Sequence, residues 1–142
     1  MSIYETNTNA AVRRGEIQDE HVEETGQLIS AGKVKGTLVY NTAGDDLGSI
    51  HDLMIGKRSG RVAYAVMSFG GFLGIGEKFH PLPWHVLTYD EDKGGYNIGG
   101  LTAEQLRDAP HYSRDELSDF DDRAEGERVS NYYGGIGYPP LN

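Results

Sequence analysis

Between residues 33 and 98, apolar and polar positions alternate in short runs, mostly with a period of two. The stretch that organises them is Arg61 to Trp84, RVAYAVMSFGGFLGIGEKFHPLPW. Its opening, Val62 to Phe69, is uncharged. Both alternating sets are apolar there, Val62, Tyr64 and Val66 against Ala63, Ala65 and Met67. Such residues suit a strand, and apolar character on both parities suits a strand covered above and below. Ser59-Gly60 before the run and Gly70-Gly71 after it leave too little chain for a buried helix.

The flanks continue the pattern. Lys33 to Asn41 reads as a half-buried strand, with Val34, Leu38 and Tyr40 on one parity. Leu47 to Ile55 reads as a second strand. Turns at Asn41–Gly44 and Gly56–Gly60 join these to the central run as an antiparallel meander. Glu77 to His80 and Val86 to Asp90 read as short strands separated by Pro81-Leu82-Pro83, and Tyr96 to Ile98 as a last one. Of the 20 glycines, 14 lie between Gly32 and Gly100, a density that predicts a small, strongly bent sheet or barrel. Thr102-Ala-Glu-Gln105 and Ser113-Arg-Asp-Glu116 are capping boxes that predict short helices. Tyr132 and Tyr133 predict an aromatic tail that docks on the barrel or on a second subunit. The expected fold is mainly β, an antiparallel barrel of about six strands over residues 29–110. An acidic extension precedes it over residues 1–28, and a partly helical one follows over 111–142.

Composition narrows the function classes. In 142 residues there is no cysteine, which removes disulfides, thiolate metal sites and cysteine nucleophiles. No run approaches the ~18 apolar residues of a membrane helix, and the N-terminus lacks the layout of a signal peptide. A cytoplasmic protein without membrane insertion is expected. The net charge of −9 falls as −4 on residues 1–32, −1 on 33–110 and −4 on 111–142. Acidic ends repel phosphate backbones, which argues against nucleic-acid binding.

Individual motifs add little chemistry. Gly70-Gly71-Phe72-Leu73-Gly74-Ile75-Gly76 is followed by Glu77 where a phosphate loop needs lysine, and no helix pattern follows. Ser49, His51 and Asp52 cannot converge as a triad on one strand, because Asp52 points away. His80 and His85 are potential metal ligands, yet their opposite parity would face them apart on a simple strand. The hairpin acids Asp45-Asp46 and Asp90-Glu91-Asp92 read as turn formers. No catalytic, cofactor or metal residues are therefore assigned. Phe72 and Leu73, at the glycine corner, could form an apolar tip suited to a partner. With Trp84, His85, Tyr132 and Tyr133 they make the candidate interaction surface.

One resemblance spans residues 30 to 110. It is carried by Gly36 with Val39-Tyr40-Asn41, by Gly44-Asp45-Asp46-Leu47-Gly48-Ser49-Ile50 and Asp52, and by Gly60-Arg61-Val62-Ala63-Tyr64-Ala65-Val66. The glycine corner, Pro83-Trp84, Leu106 and Ala109-Pro110 complete it. Together these resemble the PRC-barrel family, and most of all its small stand-alone bacterial members. The resemblance implies a β-barrel with an assembly or interaction role and no catalytic residue set. A non-enzymatic, self-associating interaction module follows, with an unidentified protein partner and a homodimer as its expected state. The alternative is a small-ligand or metal-binding sensor built on the glycine loop and His80/His85.

Overall fold

Six strands form in the computed structural model of the protein, which describes residues 26–70, 76–121 and 123–140. They are β1 (Leu38–Tyr40), β2 (Asp46–Ile55), β3 (Val62–Phe69), β4 (Lys78–Pro83), β5 (Thr88–Asp90) and β6 (Gly95–Asn97). Their order in the sheet is β4-β3-β2-β1-β6-β5. The expected central run is β3, and its consecutive residues Tyr64, Ala65, Val66 and Met67 are all buried, as a strand covered on both faces requires.

Two expectations about the sheet are corrected. It is mixed rather than antiparallel throughout, because β1 and β6 run parallel, with Val39 opposite Tyr96 and Tyr40 opposite Asn97. Nor does it close into a barrel: among the described residues no ladder joins β4 to β5. Pro81 and Pro83 lie inside β4, opposite Val66 and Tyr64, rather than in a break between strands. A proline has no N–H to give a ladder, so a strand holding two of them belongs at an edge, where β4 stands. Its outer side is met by Tyr112, which exchanges two backbone hydrogen bonds of 2.9 Å with Phe79.

Local chemistry moves other boundaries. Residues 1–34 and 35–142 form two units. In the first, the strand expected from Lys33 is a helical turn, α1 (Ala31–Val34). The Ser30 carbonyl accepts from the Lys33 and Val34 N–H groups at 3.0 and 3.1 Å, and its hydroxyl accepts from Lys33 at 3.2 Å. The acidic extension over residues 1–28 lies almost wholly outside the described residues. In the second unit the β2–β3 ladder is irregular twice: His51 is an extra residue in β2 between Ile50 and Asp52, and Ala63 is an extra residue in β3 between Val62 and Tyr64. Each irregularity exchanges the parity of the side chains that follow it in the strand that carries the extra residue. Gly48 has φ of 155°, and a Cβ there would meet the Ser68 carbonyl oxygen, so glycine lets β2 and β3 approach.

Trp84–Val86 is a short 3-10 turn, which delays the strand expected from Val86 to β5. Both capping boxes form, at the starts of α2 (Ala103–Asp108) and α3 (Arg114–Leu117). Among the described residues the longest helix is α4 (Ala124–Gly135). Its buried Gly126, Val129 and Tyr133 make one stripe at helical spacing. The stretch from residue 111 onward belongs to the same unit as the sheet.

Candidate interaction surface

The aromatic tail turns inward. Tyr133 is 1% exposed and lies inside the domain rather than on a surface. Burial pushes its hydroxyl well above the ordinary tyrosine range, and that hydroxyl has no hydrogen-bond partner. Tyr132 is half-buried and donates to the Gln105 carbonyl at 2.5 Å. Tyr138 donates to the Ile98 carbonyl. Of the two docking sites expected for this tail, the sheet domain of its own chain is the one occupied.

Trp84 is half-buried, with its ring 5.4 Å from Tyr96, which is itself 5.1 Å from Tyr89. His85 is exposed, and its Nε2–H donates to the Pro139 carbonyl at 2.9 Å. Phe72 and Leu73, with the rest of the glycine corner over 71–75, lie outside the described residues.

His80 has different surroundings from His85. It is 1% exposed, with Phe69 at 5.8 Å and His111 at 5.5 Å between ring centroids. Burial lowers its pKa from 6.5 to about 4, helped by the charges of His111 and Lys78 and opposed by a hydrogen bond to the Pro110 carbonyl. Its Nδ1 has no partner. His80 therefore serves as a neutral core residue where β4 meets the segment after α2. His80 is buried in the core while His85 is exposed beside Pro139, so the two candidate ligands have different surroundings. Among the described residues, no group of three or more histidines and acids could hold a metal ion. A shallow depression of about 220 Å³ lies between Leu101, Gln105, Ile136 and Tyr138, with no ionisable pair in its wall beyond a tyrosine.

Among the described residues from 35 onward, two large apolar side chains stay exposed. Leu38 on β1 is 51% exposed and Ile55 at the end of β2 is 50% exposed. The register places Ile55 opposite Val62 and Met54 opposite Tyr64, so the two pairs lie on opposite faces of the β2–β3 hairpin. On the Met54 face, the Phe120 ring stands edge-on to Tyr64 at 5.4 Å. The tip beyond carries Lys57, Arg58 and Arg61, all exposed. The turn is held by its own backbone: Gly56 N–H donates to the Arg61 carbonyl at 2.8 Å and Arg61 N–H to the Ser59 hydroxyl at 3.1 Å. The sequence holds a signal for this arm that strand periodicity passes over. Between Asp52 and Glu77 there are three bases and no acid, in a chain of net charge −9.

Comparison with known proteins agrees with the sheet. The PRC-barrel domain profile matches residues 26–103, more than half of the chain. An uncharacterized protein of Deinococcus radiodurans is 27% identical over 93 residues. The match covers 62% of this chain and 32% of that protein, so the chain spans about a third of the relative it matches. Among the described residues, no helix is long and apolar enough to cross a membrane.

Proposed function

Since this chain belongs to the PRC-barrel domain family, we propose that it is a non-enzymatic protein-interaction module that associates with itself. The observation that carries the reading is the pair of large apolar side chains left half exposed on the strands, Leu38 and Ile55. Isolated exposed apolar residues are ordinary, but Ile55 stands directly opposite the part-exposed Val62, and paired apolar side chains on one sheet face are what partners bury. The buried polar groups support a structural role. Asn41 ties its own turn to the Leu101 carbonyl at 2.9 Å, and His80 is packed among rings. Both sheet edges are unsuited to strand addition. β4 carries two prolines and is met by Tyr112, and β5 is three residues long and ends on Asp90. Association would therefore use a face of the sheet rather than an edge. Sedimentation velocity tests this from about 1 µM to about 0.5 mM, a range bracketing weak and moderate homodimers. A concentration-dependent dimer is expected. A strict monomer across that range would remove the self-association.

A further inference from the structure

We infer that the tip of the β2–β3 hairpin, with the Ile55–Val62 pair behind it, holds the acidic segment 16–24 of a second copy of this chain. The inference rests on the self-associating reading above and adds to it the surface and its occupant. The hairpin outruns the rest of the sheet. On one side, β4 follows β3 only as far as the pair Tyr64–Pro83. On the other, the chain leading into β1 reaches β2 at Ile50, whose N–H donates to the Thr37 carbonyl at 2.9 Å and whose carbonyl accepts from the Gly36 N–H at 2.7 Å. Past these points, among the described residues, β2 and β3 pair only with each other. Their outermost pair is Ile55–Val62, both part-exposed on one face. The turn beyond carries Lys57, Arg58 and Arg61, exposed and with no carboxylate in ion-pair range among the described residues.

Three unpaired cations ahead of two aliphatic side chains fit a partner that is anionic and brings apolar groups of its own. Residues 16–24, Glu-Ile-Gln-Asp-Glu-His-Val-Glu-Glu, have that composition: five acids, no lysine or arginine, and Ile17 and Val22 among them. They lie outside the described residues, and charge complementarity with the tip is what selects them. Each copy then holds both halves of the contact, and two reciprocal contacts close a twofold dimer. The surroundings of the tip count against other polyanions. Phe120 packs on Tyr64, on the face opposite Ile55, and its neighbours Asp119 and Asp121 are exposed. A short segment lying along the Ile55–Val62 face avoids these acids. A nucleic acid or an anionic membrane presents a broader field of negative charge, which would meet the acids as well as the cations and be repelled.

Charge reversal in the full chain separates this arrangement from its rivals. One variant carries Lys57→Glu, Arg58→Glu and Arg61→Glu; the other carries Asp19→Lys, Glu20→Lys and Glu23→Lys. Sedimentation velocity is run in about 0.05 M salt, where exposed charges are weakly screened. Each variant alone sets like charges against each other in both contacts, so each is expected to self-associate at least tenfold more weakly than the native chain. Mixed, the acidic tip of the first meets the lysines of the second, while the other contact keeps its native pairing. A heterodimer with an affinity near the native one is therefore expected, and its formation also shows that both variants are folded. Dimers of undiminished strength in either variant would overturn the pairing and leave self-association standing. The same holds if the variants, folded by circular dichroism, form neither homodimer nor heterodimer. A native chain that is monomeric at every concentration would overturn the inference together with the reading beneath it. Tip-dependent binding of that monomer to single-stranded DNA, or to vesicles of phosphatidylserine and phosphatidylcholine, would reassign the tip to a nucleic acid or a membrane.

Discussion

Acidifying the protein from about pH 7.5 to about pH 5 should reduce its stability through His80 in particular, and the size follows from where that side chain sits. Its ring is buried against Phe69 and His111, with Lys78 adding a second unfavourable charge, and its pKa falls from 6.5 to about 4. The folded value lies below the unfolded one, so between them the unfolded chain binds more protons. The stabilisation is therefore complete above the unfolded value and is lost as pH falls through the folded one. The full gap corresponds to about 3 kcal/mol, of which about 2 kcal/mol is already lost at pH 5. For a chain of this size that is about 4–8 °C in melting temperature. The control is His80→Gln, whose amide can still donate to the Pro110 carbonyl but does not titrate. Urea denaturation followed by circular dichroism would be run on both proteins across the range. The native protein's advantage over the variant should shrink by about 2 kcal/mol between the two ends. Parallel pH profiles would refute the reasoning, because they would mean that His80 binds its proton equally well in the folded state.

Asn41→Ala should lower stability by about 2–3 kcal/mol, because it leaves the Leu101 carbonyl and the Asp45 N–H without the partners they have at 2.9 and 2.8 Å. A urea midpoint unchanged within error would count against the account. Tyr133 separates ring from hydroxyl. Tyr133→Phe should be neutral or mildly stabilising, since the hydroxyl it removes is buried without a partner, whereas Tyr133→Ala should cost about 3–5 kcal/mol from the lost ring. Equal losses in the two would show that the hydroxyl is satisfied after all.

Local chemistry made much of this protein readable before folding was considered. The uncharged run over Val62–Phe69 could be little other than interior strand. The two S/T-x-x-E/Q texts state their own helix starts, because the groups that satisfy each other lie three residues apart. Non-local contacts decided the rest. Parallel pairing of β1 with β6 joins segments more than fifty residues apart, and no period along the chain encodes that partnership. The extra residues, His51 in β2 and Ala63 in β3, shifted the side chains that follow them between faces, which no simple alternation along either strand foretells. The tail's aromatic residues looked the same on paper whether they faced solvent, a second subunit or their own sheet. Only the packing of α4 buried Tyr133. Likewise His80 reads as a ligand by residue type and becomes a neutral core group only because tertiary structure sets Phe69 and His111 around it. Hydrogen bonds and periodicities that close within a few residues are written in the sequence, whereas burial and electrostatic environment arise only when distant segments meet.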